Sequence, residues 1–155
     1  MSAITLRRHG VWLGVDVGTV RVGVAVSDAD GLLATPLMTL ARDLKRGSDL
    51  DALAALVGER AVVEVVVGLP RSLSGRDGRA ASAARAYVDA LVRRIAPVPV
   101  RLVDERLSTV AAERDLRAGG VRGRAQRGVV DQAAAVVILQ SALDAARVAG
   151  PGTGR

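Results

Sequence analysis

The chain has no cysteine and no phenylalanine, and Trp12 and Tyr87 are its only aromatic residues. Without thiols, neither a disulfide framework nor a thiolate metal site is possible, which fits a reducing cytoplasm as the expected location. With so few rings, alanine, valine and leucine must fill the core. The stacking platforms used to read single-stranded nucleic acid are also missing. Acidic residues are in deficit, 16 against 22 basic ones, for a formal charge of +6. That surplus, nearly all arginine, points to a polyanionic partner, most simply nucleic acid held by backbone charge and shape. No apolar run approaches the ~18 residues of a membrane span. Residues 1–9 are polar and lack the apolar stretch of a secretory signal, so no membrane association is expected.

The 155 residues suit one domain. Residues 1–10 read as a flexible basic leader, 11–149 as the domain and 150–155 as a disordered tail. Apolar runs at 11–17 and 22–28 flank a Gly18-Thr19 turn and read as a hairpin. Asp30-Gly31 makes a second turn before a strand over Leu32–Leu40. Leu50, Leu53, Leu56 and Val57 recur at helical spacing over 48–58, with Ser48 or Asp49 as cap and Gly58 as stop. Val62–Val67 is almost continuously β-branched, as in a central strand covered on both faces. A helix is expected over 79–95, a fifth strand over 98–103, and a helix over 108–118. A flexible basic loop over 117–128 and a final helix over 129–148 complete the chain. This order predicts an α/β fold: a mixed five-stranded sheet, with an antiparallel meander followed by parallel strands and helices on both faces.

Asp16 lies inside the first apolar run, where a charge is costly to bury. Glycines 14, 18 and 23 leave room for backbone or ligand to come close to it. Asp104 and Glu105 follow the fifth strand, at the strand ends where α/β sheets collect functional groups. Asp131 shares a helical face with Ala134, Ala135 and Ile138, which should turn it toward the sheet. Such carboxylates form an all-oxygen set suited to Mg²⁺ or Mn²⁺, and two such ions can drive phosphodiester cleavage. Each acid also has a plainer role open to it. Asp16 could mark a turn, Glu105 could pair with Arg106, and Asp131 could complement a helix N-terminus. Neighbours alternate along a strand, so Asp104 and Glu105 stay interchangeable at this level. Arg21, Arg71, Arg76, Arg79, Arg106, Arg122, Arg124 and Arg127 are the candidate phosphate contacts. His9, beside two arginines, reads as solvated.

Four blocks, GVDVGTVRVGVAVSD at 14–28, VGLPxxxxG from Val67 to Gly75, VDERLST at 103–109 and VDQAAAVVILQ at 130–140, resemble the YqgF/RuvX family. The resemblance spans about residues 11–148 and implies a ribonuclease H-like fold. Its members are described as Holliday junction resolvases or pre-16S ribosomal RNA nucleases using Mg²⁺ or Mn²⁺. By that resemblance Asp16, Glu105 (with Asp104 as its substitute) and Asp131 are the catalytic and metal-holding acids. The implied partner is structured RNA or branched DNA, with a homodimer suiting the junction role. Related resolvases carry an acid on the fourth strand, whereas here that strand ends Val67-Gly68-Leu69-Pro70. A non-catalytic nucleic-acid-binding or ribosome-assembly factor on the same fold is the alternative of another class. The Asp-x-Gly-Thr hairpin also resembles the first phosphate loop of actin-like ATPases. No second such loop follows, so ATP binding is not expected.

Overall fold

The computed structural model describes residues 9–69, 78–104 and 124–148. Its elements are β1 (Val11–Val17), β2 (Arg21–Ser27), β3 (Ala34–Ala41), α1 (Ser48–Glu59), β4 (Val62–Leu69), α2 (Gly78–Ile95), β5 (Val100–Asp104) and α3 (Arg124–Val148). The strands form one sheet in the order β3-β2-β1-β4-β5. The pairs β1–β2 and β2–β3 run antiparallel, and β1–β4 and β4–β5 run parallel. This is the expected mixed sheet, with β1 at its centre.

Alternation along the strands divides the core in two. Leu13, Val15 and Val17 of β1 and Val22, Val24 and Val26 of β2 face α1 and α2, packing with Leu53, Tyr87, Val88 and Leu91. Trp12, Ala25 and Val66 face α3, where they meet Ala134, Ala135, Ile138, Leu139 and Leu143. Helices therefore cover both faces. Small residues let α3 lie very close to the sheet. A Cβ added at Gly14 would come within 2.6 Å of the Leu139 Cβ and 3.0 Å of the Ala135 carbonyl oxygen. Two glutamines fix α3 along the β3 edge. Gln132 donates to Thr39 Oγ1, while Gln140 accepts from the Ala34 amide and donates to the Leu32 carbonyl.

Several local expectations shift. The third strand begins at Ala34, because the Asp28 carboxylate accepts the Leu32 and Leu33 amides and holds them in the preceding turn. Neither Ser48 nor Asp49 caps α1, whose N-cap is Gly47 in the left-handed region (φ 71°). The capping work falls to Asp43, whose carboxylate accepts the Lys45, Arg46 and Ser48 amides. Gly58 lies inside α1, which runs on to Glu59. The fifth strand starts at Val100, two residues later than expected. The final helix starts at Arg124, five residues earlier than expected, so 124–128 is helix and not basic loop. Arg-Ala-Gln-Arg are good helix formers, and one interior glycine, Gly128, costs only about 1 kcal/mol in a helix so firmly docked downstream. The helix expected over 108–118, the tail at 150–155 and most of the leader lie outside the described residues; His9 itself is exposed.

Candidate active site

Asp16 stands next to the last residue of the central strand, and its side chain is buried at 2 % exposure. Strand alternation places it on the α3 face, level with Gly23 on β2 and Gly68 on β4. Both register neighbours thus lack a side chain, so nothing from the adjacent strands crowds the carboxylate.

The space above Gly23 is taken by the helix. A Cβ there would fall 2.2 Å from the Asp131 carbonyl oxygen, 2.5 Å from its carbonyl carbon and 3.1 Å from its Cβ. Asp131 is therefore seated directly on the strand beside Asp16, and two carboxylates separated by more than a hundred residues come to one end of one sheet face. The apolar spacing behind this was visible in the chain: Ala134, Ala135 and Ile138 are all buried against the sheet, as expected. Asp131 lies about two turns inside α3, which rules out the helix-terminus role.

Arg21 Nε donates to Asp131 Oδ2 at 2.8 Å, with the two side chains 30 % and 19 % exposed. Part of the guanidinium expected to meet phosphate is thus committed to an acid of the site. Nothing local in the sequence signals this pairing across 110 positions. Another pair also went unread. Glu64, 2 % exposed on β4, accepts from Arg101 Nε at 2.7 Å, and that guanidinium lies 5.6 Å over the Trp12 ring. A charge inside a β-branched run was the available signal for Glu64, as it was for Asp16.

The site is oxygen-only where it is described, with a buried carboxylate on a rigid strand and a second on the helix above it. That donor chemistry fits a hard divalent cation, and the Arg21 guanidinium already balances one of the two charges. Among the described residues no group of three acids or histidines gathers as a metal cluster. Of the remaining candidates, Asp104 ends β5 in register with Leu69. Glu105, Arg71, Arg76, Arg106 and Arg122 lie outside the described residues. Arg79 is the second residue of α2, and Arg124 and Arg127 belong to the first turn of α3.

The family model described as RuvX, Holliday junction resolvase, matches residues 10–145. A protein of Frankia casuarinae named "Putative pre-16S rRNA nuclease" is 60 % identical over 143 residues, covering 92 % of this chain and 71 % of that protein. A Mycolicibacterium paratuberculosis protein of the same name is 62 % identical over 141 residues, covering 91 % and 84 %. Among solved structures, T. thermophilus RuvC in complex with Holliday junction substrate superposes with a TM-score of 0.59 at 17 % identity, covering 90 % of this chain and 96 % of that one. That likeness concerns the fold.

Proposed function

Since the chain belongs to the RuvX family of Holliday junction resolvases, we propose that it is a divalent-metal-dependent endonuclease of the cytoplasm that trims the 5′ end of pre-16S ribosomal RNA. The observation that carries this reading is the seating of Asp131 on Gly23, which sets a second carboxylate beside buried Asp16. The choice of substrate rests on relatives about 60 % identical that bear the pre-16S rRNA name.

Asp16 and Asp131 would hold Mg²⁺ or Mn²⁺, with Glu105 as the third acid. Arg101 and Val103 of β5 lie on the α3 face, Arg101 through Glu64 and Trp12, Val103 through the α3 cluster. Position 105 lies outside the described residues, and Glu105 is named on the family resemblance, with Asp104 as its substitute. Ions held there would supply water activation and stabilisation of the leaving oxygen. Asp16 contributes a donor whose position is fixed by the central strand. Asp131 contributes one whose charge Arg21 moderates until a cation competes for it. Arg71, Arg76, Arg106, Arg122, Arg124 and Arg127, with the free edge of Arg21, would contact the phosphates.

The family name favours a second substrate, the four-way DNA junction. A homodimer would then provide the two symmetric sites that two cuts need. Matched RNA precursors and four-way junctions, incubated with Mg²⁺ or Mn²⁺ and wild type or Asp16→Asn, separate these readings. We expect RNA cleavage by wild type and a loss of at least about a thousandfold in the variant. Cleavage of junctions alone would move the assignment to DNA. Binding without cleavage of either would favour a ribosome-assembly factor.

A further inference from the structure

Beyond the carboxylates, the turn that joins β1 to β2 bears on the site, because it connects Asp16 to Arg21 and so to Asp131. It is short and rich in small residues, and Val20 at its tip is 62 % exposed. Beyond the strand pairing that runs up to Val17 and Val22, the Gly18 amide donates to the Arg21 carbonyl at 2.9 Å. Two further bonds come from a single residue just past β3. The Arg42 amide donates to the Val20 carbonyl at 2.8 Å, and Arg42 Nη1 donates to the Gly18 carbonyl at 2.5 Å.

Arg42 is itself anchored from the opposite side of the sheet. Its guanidinium lies 5.0 Å over the Tyr87 ring of α2, and its Nε is 4.0 Å from Oδ2 of Asp49 in α1. Its side chain is 12 % exposed and that of Asp49 2 %. Both Asp49 carboxylate oxygens are buried without a hydrogen-bond partner, which leaves this guanidinium as the nearby charge that compensates them. Burial, followed by the Asp49 charge, holds the Tyr87 phenol well above its usual range, so the ring stays neutral under the guanidinium. A cavity of about 420 Å³ opens beside the trio, lined also by Arg94, Ala83 and Ala90. On that flank Arg42 is held by its ion pair with Asp49 and its cation–π contact with Tyr87, and its hydrogen bonds go to the turn.

We propose that Arg42 is a positioning residue for the nuclease site: fastened to Asp49 and Tyr87, it clamps the Gly18–Val20 turn and so fixes the spacing between Asp16 and the Arg21–Asp131 pair. The proposal rests on the metal-site reading given above. An arginine suits the task because its planar fork can stack on a ring while another N–H reaches a carbonyl. A lysine offers one point charge and cannot do both.

Arg42→Lys is the informative variant, since it keeps a cation beside Asp49 while giving up the clamp. The expected result is threefold. Amide exchange at Gly18–Arg21 quickens about tenfold, the Mn²⁺ dissociation constant rises about tenfold, and kcat falls similarly with KM for RNA within twofold, as for one lost charge-assisted hydrogen bond. Asp49→Asn, which loosens the anchor and leaves the reach of Arg42 intact, should move all three in the same direction by less. Unchanged turn exchange and Mn²⁺ affinity in Arg42→Lys would overturn the proposal. So would loss of the native fold in both variants, which would make Arg42 a general stability residue. Wild type that binds Mn²⁺ through Asp16 but cleaves nothing would sink the nuclease reading and leave the clamp standing.

Discussion

At the scale of single residues, the site depends as much on a missing side chain as on its carboxylates. Gly23 has its backbone within contact of the Asp131 peptide, and a methyl group there would collide with a carbonyl that no rotamer change can move. Gly23→Ala should therefore lower the melting temperature by roughly 4–8 °C, the effect of about 2 kcal/mol of overpacking, and weaken Mn²⁺ binding; calorimetry measures both. Asp16 was legible in the chain because a charge inside a β-branched run demands a reason, and Asp131 because its apolar neighbours fix a helical face. Room beside Asp16 was legible from the glycines. That the occupant of this room would be the peptide of Asp131 was not, since it takes a docking across the whole sheet to bring 23 and 131 together. Arg21 and Arg42 read only as positive charge for the same reason: their partners are set by tertiary approach.

At the scale of elements, strands and helices followed from periodicity, while their ends followed from local hydrogen bonds that periodicity does not encode. Asp28 delays β3 and Asp43 starts α1, each by accepting backbone amides in a turn. Those same bonds hold both carboxyls below their ordinary value of 3.8: for Asp28 the Leu33 and then the Leu32 amide, for Asp43 the Arg46 amide and then Ser48. A carboxyl depressed in the folded state adds stability that is complete above its unfolded pKa and is lost as pH falls through the folded one. The melting temperature should thus begin to fall as pH drops below about 4. In Asp28→Asn and Asp43→Asn that acid limb should be shallower, which thermal melts between pH 2 and 6 would record. The start of α3 shows the opposite case, where helix-forming arginines outweigh Gly128 and extend an element into a stretch that composition marks as loop.

At the scale of the whole molecule, the charge of +6 sits on a fold whose candidate acids Asp16 and Asp131 come to one sheet end. Binding to RNA should therefore be dominated by phosphate contacts. Raising salt from 50 to 200 mM should weaken it about a hundredfold if four phosphates are neutralised, a slope that filter binding or anisotropy gives directly. Among the described residues no helix is long and apolar enough to cross a membrane. The mixed sheet with helices on both faces was readable throughout, because alternation and β-branched runs report burial strand by strand. The order of the strands was not, since which strand takes the centre is set by how β4 and β5 dock beside β1. The packing of α3 onto the strands carries one more consequence. Peptide touching peptide at Gly23 sets a stop: α3 cannot advance further toward the strand that carries Asp16. A closer grip between the two acids would have to come from rotation of their carboxylates, and the rotamers of Asp16 and Asp131 become the natural place to re-tune it.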